Sequence, residues 1–133
     1  MLKQLCVIML LALAGCSSNN HFSDIATSNV AGQYFNDDGF GNQTNLILHD
    51  NGRYESTIEG VAGVTSYSQG TWSNIGNKIS FSPESNSDKL KLSIQPMEVV
   101  EQNHELLLVP VRKVNLHQQL MANFGKSTYT YNR

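Results

Sequence analysis

The fold follows from one stretch of the sequence, TNLILHDNGRYESTI, which spans residues 44–58. Residues 44–49 are strand-like. The Asp-Asn-Gly at residues 50–52 favours a tight turn, because Asn and Gly readily adopt the left-handed backbone that such a turn requires. Residues 53–58 then return as a second strand. The stretch therefore predicts a β-hairpin, and the rest of the chain repeats this plan.

Short strands separated by turn residues continue on both sides of the hairpin. Before it, the polar, glycine-rich residues 36–42 predict a loop. After it, the strand period of two is clearest at Leu90, Leu92 and Ile94, which alternate with polar residues over residues 89–95. Further strands are predicted at residues 32–35, 65–73, 78–82, 97–100 and 105–109.

The pattern changes only near the end of the chain. Leu116, Leu120 and Phe124 form an approximate helical stripe, which predicts a helix from about residue 115 to the stop signal at Gly125. Residues 128–131 are either a last strand or a loose tail. Together these elements predict an all-β fold, a small antiparallel barrel or closed sandwich of seven to eight strands with one short C-terminal helix.

Composition limits the classes of function. At 133 residues the chain has room for one domain, and 40% hydrophobic with 15% charged residues indicates a folded chain. The net charge is -2 and the basic residues are scattered, so the electrostatic footprint of a nucleic-acid-binding protein is missing. We therefore predict no nucleic-acid partner.

The N-terminus has the parts of an export signal. Lys3 supplies a positive charge, and residues 5–14 form an apolar run too short to span a membrane. The run ends in the motif LAGC at residues 13–16, which resembles the lipobox of bacterial lipoproteins. The resemblance implies that residues 1–15 are a lipoprotein signal peptide and that Cys16 is acylated and becomes the mature N-terminus. The alternatives are an ordinary cleaved signal and a short apolar helix.

A lipid on Cys16 determines the expected location of the protein. Several acyl chains make membrane attachment stable, whereas one makes it marginal. The residue after the cysteine is Ser17 rather than Asp, which by the same resemblance favours the outer membrane, with the domain facing the periplasm or the cell surface. Residues 16–29 carry the lipidated Cys and form a flexible tether, and residues 30–133 form the β domain. Cys6 leaves with the signal, so no thiol remains for a disulfide.

Short motifs recur along the predicted strands: Gly32-x-Tyr34, Leu46-x-Leu48, residues 50–54, Gly70-Thr71-Trp72 and Ile79-x-Phe81. In this order they resemble the calycin and lipocalin-like small bacterial lipoproteins, including the N-terminal domain of the NlpE envelope-stress family. The resemblance implies a lipocalin-like barrel. The NlpE-like domains also carry a paired-cysteine motif that this chain lacks, so their redox and copper-linked properties are not expected here. The aromatic side chains of Tyr34, Tyr54 and Trp72 are expected to fill the core or plug the barrel.

No set of residues predicts catalysis, a metal site or a cofactor. The four histidines share no metal-ligand spacing, and no serine lies in a Gly-x-Ser-x-Gly elbow. The acidic loop at residues 37–42 lacks the alternating pattern of a calcium-binding loop. Phe40 in that loop is either a packed plug or a contact for a partner. Leu120, with its helical stripe, either packs on the barrel or docks another protein.

These observations lead to two hypotheses about function. The first is a non-enzymatic envelope lipoprotein, anchored to the membrane by Cys16, whose β domain binds another envelope protein. The alternative is a lipocalin-like carrier that holds a small apolar ligand inside the barrel. The residues expected to contact the partner or ligand are Phe40, Tyr34, Tyr54, Trp72 and Leu120.

Overall fold

The computed structural model describes residues 27–84 and 94–133, and in them the chain forms a nearly closed antiparallel barrel. Each strand pairs with the next one along the chain. The strands are β1 (Gly32–Asp37), β2 (Gln43–Leu48), β3 (Arg53–Gly60), β4 (Gly63–Ile75), β5 (Lys78–Pro83), β6 (Met97–Gln102) and β7 (Glu105–Pro110). A short helix, α1 (Thr27–Val30), precedes them. The barrel confirms the predicted fold class.

Helical structure follows the last strand directly. A 3-10 turn (Val111–Lys113) continues into α2 (Val114–Phe124). None of the helices in the described part of the chain is long and apolar enough to cross a membrane. The predicted signal peptide and Cys16 lie outside the described residues, as does most of the strand predicted at residues 89–95. Ile94 and Gln95, which are described, lie outside the strands.

The hairpin predicted at residues 44–58 is formed by β2 and β3. Leu48 pairs with Tyr54, and the backbone N–H of His49 donates to the carbonyl of Arg53 at 2.8 Å. Gly52 has a φ of 84°, in the left-handed region of the backbone, which glycine adopts at low cost because it has no side chain. The Asn51 side chain accepts the Arg53 N–H at 3.0 Å. The hairpin and its tight turn therefore form as predicted, and the turn residues set its register.

The β6–β7 turn is shorter than the four residues predicted for it. β6 extends to Gln102, which pairs with Glu105. The two residues between them, Asn103 and His104, have positive φ values of 53° and 66°. Two successive positive φ values are the geometry of a two-residue hairpin turn, and Asn adopts it at low cost.

The last residues of the chain close the barrel between β1 and β7. Tyr131 exchanges two backbone hydrogen bonds with Leu108, at 2.8 and 3.1 Å, and Asn132 exchanges two with Phe35, at 2.7 and 2.8 Å. The Arg133 guanidinium donates to the carbonyl of Ala31 at 2.9 Å. Of the two alternatives left open for residues 128–131, the structure thus shows a short strand-like seam rather than a loose tail.

The apolar core occupies the end of the barrel at which the β2–β3 turn lies, here called the closed end. The Tyr34 hydroxyl donates to the Val30 carbonyl at 2.6 Å, and the Trp72 indole N–H donates to the His49 carbonyl at 2.8 Å. The Tyr54 and Phe81 rings meet edge to face with centroids 4.9 Å apart. The fully or nearly buried core residues are Val30, Tyr34, Leu46, Leu48, Tyr54, Trp72, Ile79, Met97, Val99 and Leu108.

The predicted helix exists and ends where expected, at Gly125 with a φ of 67°. Of the two alternatives for the stripe of Leu116, Leu120 and Phe124, packing on the barrel does not hold for the stripe as a whole. Phe124 is 70% exposed and Leu116 is also exposed, Leu120 is half-buried, and the residue that α2 buries is His117. The helix packs against β7 with a face turned away from the predicted one. Since side chains three residues apart share a helical face, His117 lies in line with Leu120 and not with Leu116.

Candidate functional site

A cavity of about 390 Å³ lies in the half of the barrel opposite the apolar core. Side chains alternate in direction along a strand, so every second residue of β3 and β4 points inward. Toward the closed end these inward residues include Tyr54 and Trp72, and toward the other end they are Ile58 and three small residues, Ser56, Ser66 and Ser68. The small side chains leave the interior unfilled. The cavity opens at this end, here called the mouth.

Three serines form the floor of the cavity. Ser56 and Ser68 are directly opposite each other on β3 and β4, and Ser66 pairs with Ile58. All three are buried. The Ser68 hydroxyl bonds to the Tyr54 hydroxyl at 2.8 Å, whereas that of Ser56 has no hydrogen-bond partner among the described residues. The floor therefore offers a hydroxyl group that a bound molecule can engage.

One wall of the cavity is the seam at the end of the chain. The Tyr131 side chain lines the cavity and its hydroxyl bonds to the side chain of Thr44. Burial raises the pKa of Tyr131, so the phenol is neutral at physiological pH. The Asn36 amide, also in the lining, donates to the carbonyls of Thr128 and Thr130 at 2.8 and 2.9 Å. These bonds fix the wall to β1. The apolar part of the lining comes from Ile58, Ile94, Met97 and Pro110.

No protein-family model, curated protein or solved structure matches this chain. The barrel and its C-terminal helix are compatible with a lipocalin-like fold, and membership of that family stays a prediction. What the cavity can bind therefore follows from its own residues.

The loop between β1 and β2 forms one side of the mouth. The Asp38 carboxylate accepts the N–H groups of Phe40 and Asn42, at 2.7 and 3.1 Å, and the Asn42 amide at 2.6 Å. These bonds hold the pKa of Asp38 below its usual range, with the Asn42 amide making the largest contribution. The negative charge is thus already solvated by its own loop. Phe40, held in this loop, is 92% exposed rather than packed as a plug.

The opposite side of the mouth carries two cations. Arg112 donates from Nε to the Gln95 side chain at 2.9 Å, and the Lys113 Nζ lies 5.1 Å from the centroid of the Tyr129 ring. Both cations are exposed at the start of the C-terminal helical segment. Together with Asp38 they are the charged side chains of the described lining, and all three are at the mouth. Below them, the described part of the lining is uncharged.

The residues predicted to contact a partner or ligand do not form one site. Tyr34, Tyr54 and Trp72 belong to the core, and among them Tyr54 reaches the cavity floor indirectly, through its bond to Ser68. Phe40 lies at the mouth, and Leu120 is half-buried on α2, outside the cavity lining. Cys16 lies outside the described residues. A ligand inside the barrel was one of the two hypotheses, but of the residues named for it Phe40 lines the cavity and the other described ones do not.

The floor serines had a signal in the sequence. Ser66, Ser68, Gly70 and Trp72 occupy alternate positions of one strand, so they share its inner face. A face that carries small residues at one end and a large aromatic at the other indicates a barrel filled only in part. Tyr131, by contrast, could not be placed from the sequence because its contacts are with distant strands.

A second, smaller polar cluster lies on the outer face of β3. His49 contacts Glu55 at 3.0 Å, and Arg53 contacts Glu84 at 2.5 Å. All four side chains are 41–47% exposed, so these ion pairs contribute little to stability. No three His, Cys, Asp or Glu side chains within the described residues are grouped so that they could hold a metal ion. The cavity is therefore the stronger candidate site.

Proposed function

We propose that this chain is a binding protein that holds one small molecule in the open half of its barrel. The observation that carries the proposal is the cavity of about 390 Å³, which opens at one end of the barrel. Ligand sites in proteins are concave and typically measure roughly 300–1,000 Å³. This volume is at the lower end of that range and suits a single small ligand.

The division of the barrel into two halves supports this function. The aromatic core at the closed end buries Tyr34, Tyr54 and Trp72 and gives the fold its apolar packing. The serines at the other end contribute little packing, since they bury few apolar atoms. A protein that needed its barrel only for stability would gain from larger side chains there. The small inward side chains are consistent with selection for space.

The binding test uses anilinonaphthalene sulfonate, a dye whose fluorescence rises in apolar surroundings. We expect the protein to enhance dye fluorescence and Ile58→Trp to reduce the enhancement about fivefold or more, because the indole fills the cavity. The matched control is Thr57→Trp, which adds the same ring on the outer face of β3 and should leave the enhancement intact. Equal enhancement by both variants would show that the dye binds elsewhere and would remove the support for a cavity site.

We further propose that this binding protein is held at the envelope by a lipid on Cys16. The support is the LAGC motif at residues 13–16, behind a charged and apolar leader. Cells expressing the chain are fed an alkyne analogue of palmitate, and the label on the protein is measured. Cys16→Ser should abolish the label, whereas Cys6→Ser should retain it. Labelling that persists in Cys16→Ser would contradict the anchor.

A second candidate function, binding of another envelope protein, is favoured by the rim of the mouth. Phe40 and Val61 are 92% and 97% exposed, and they lie on neighbouring loops, since a Cβ at Gly41 would be 3.2 Å from Val61 Cγ2. Neighbouring exposed apolar side chains can mark a protein–protein interaction site. A photo-crosslinking amino acid at Phe40 should trap one defined protein in intact cells. The same probe at Ile75, the last residue of β4, which is 83% exposed at the closed end, should not trap it.

A further inference from the structure

The cavity has uncharged hydroxyl groups at its floor and cations at its mouth. From this separation we infer the class and orientation of the ligand: a monoanionic amphiphile that enters with an uncharged hydrogen-bonding end first and leaves its acid group at the mouth. The inference rests on the proposed ligand-binding function. It adds to that function the chemistry of both ends of the bound molecule.

The floor requires a hydrogen-bonding group. Ser56 is 7% exposed, it lines the cavity, and its hydroxyl has no partner among the described residues. A purely apolar ligand end placed there would remove water from this hydroxyl without replacing the hydrogen bond, which is unfavourable. A hydroxyl, carbonyl or amide on the ligand restores the bond. The paired Ser68, already bonded to Tyr54, extends the same polar surface.

The inner end of the ligand must also be uncharged. The described lining holds no charged side chain below the mouth. A carboxylate or ammonium group buried against serine hydroxyls would lose its hydration without gaining an opposite charge, and an unpaired buried charge is far more costly than a buried neutral group. A neutral polar group satisfies the same serines at much lower cost.

The mouth supplies the complement to an acid group. The Arg112 Nε donates to the Gln95 side chain, so the two terminal nitrogens of the guanidinium can donate to an acid group of a ligand. Lys113 is exposed beside the Tyr129 ring. Asp38, the acidic residue of the lining, is already satisfied by the N–H groups of its own loop. Among the described residues that line the cavity, the mouth therefore has two available cations and one internally solvated anion. Charge-assisted hydrogen bonds from these cations are the strongest that the site can offer a ligand.

The distance between floor and mouth sets the length of the ligand. Ser56 is four residues from the end of β3 at Gly60. At about 3.3 Å per residue this part of the strand measures roughly 13 Å. Three bonds of a fully extended chain advance about 3.6 Å, so a chain of about twelve atoms, for example ten carbons with an oxygen at each end, spans the distance. The apolar walls formed by Ile58, Met97 and Pro110 fit the methylene groups between the two ends.

Three probes of equal chain length test the inference: ω-hydroxydecanoate, decanoate and decanediol. Their binding to the full chain, made by cell-free synthesis so that no lipid is attached, is measured by titration calorimetry. We expect ω-hydroxydecanoate to bind about tenfold more tightly than decanoate, because it replaces the hydrogen bond at the floor. Ser56→Ala should reduce this preference to about twofold or less. Ser73→Ala, at an exposed position of β4, should leave the preference unchanged.

The mouth is tested separately. Lys113→Gln should weaken both acids by a similar factor, about threefold to tenfold, and leave decanediol unaffected. If decanoate binds as tightly as ω-hydroxydecanoate, the inference about the floor is overturned. If Lys113→Gln weakens the binding of decanediol as much as that of the two acids, the inference about the mouth is overturned. In both cases the cavity site would stand. If the unmodified protein binds none of the three probes and does not enhance the fluorescence of the dye, the proposed function itself is refuted, and the inference with it.

Discussion

Gly70 is the position at which a single methyl group should cost the most. It lies on β4 beside the end of β5, and a Cβ built there would be 2.1 Å from the carbonyl oxygen of Ser82 and 3.0 Å from the Cα of Pro83. Ordinary carbon–oxygen contacts between strands are about 3.3–3.6 Å. Both obstructing atoms belong to the backbone, so no side chain can rotate out of the way. Gly70→Ala therefore requires β4 and β5 to separate.

The cost of this separation can be worked from the contacts it affects. Moving β5 away from β4 by about 1 Å weakens the pairing of Gly70 with Pro83 and the Glu84 N–H bond to the Gln69 carbonyl. Losing about two such bonds costs ~2 kcal/mol, and overpacking adds about 1–3 kcal/mol. The reduced entropy of the unfolded chain returns ~0.4–1 kcal/mol. The net destabilisation is about 2–4 kcal/mol.

Thermal unfolding followed by Trp72 fluorescence measures this loss. For a domain of this size 1 kcal/mol corresponds to about 4–8 °C in Tm, so Gly70→Ala should lower Tm by roughly 10–25 °C. Thr71→Ala, on the adjacent exposed position, should change Tm by less than about 4 °C. If Gly70→Ala unfolds within about 3 °C of the parent protein, the close approach of β4 and β5 does not exist and the reasoning fails.

Two further predictions concern the core and the helix. Tyr34→Phe leaves the Val30 carbonyl without its 2.6 Å hydrogen bond and should lower the free energy of unfolding by about 1–2 kcal/mol in urea denaturation; an unchanged midpoint would contradict the role of that bond. His117 is buried and its Nδ1 has no hydrogen-bond partner in the part of the chain that the structure describes, and burial lowers its pKa. The unfolded chain therefore binds the proton more readily, so stability should fall as the pH drops below about 6.5 toward the lowered pKa. His117→Leu should make Tm less dependent on pH over that window, and an identical pH profile in both proteins would exclude this assignment.

The hairpins could be predicted because their signals are local. Asp50, Asn51 and Gly52 specify a turn through their own backbone preferences, and strand pairing then follows from neighbours in the sequence. The helix stop at Gly125 is equally local. A meander of seven strands, in which each pairs with the next, consists almost entirely of such information. This explains why the fold class was predicted correctly.

The site depended on information that no short stretch contains. The cavity exists because small side chains on β3 and β4 face a lining from β1, β6 and the end of the chain, and only the assembled barrel shows that no large side chain of the described residues fills the gap. The buried face of the helix could not be predicted for a similar reason. Leu116 and Phe124 are as apolar as a buried stripe requires, but the position of α2 on β7 decides that His117 is the buried residue. Propensity does not encode that placement.

The seam between β1 and β7 has a consequence for how the barrel folds. The hairpins join residues close in sequence and can form independently, whereas Arg133 reaches Ala31 across 102 positions. Closing so long a loop carries a large entropic cost before any contact compensates for it, and non-local closure slows folding. We therefore expect the six hairpin pairings to form before the seam. Until it closes, β1 and β7 expose unpaired edges, and that open-edged intermediate is the species most prone to aggregate.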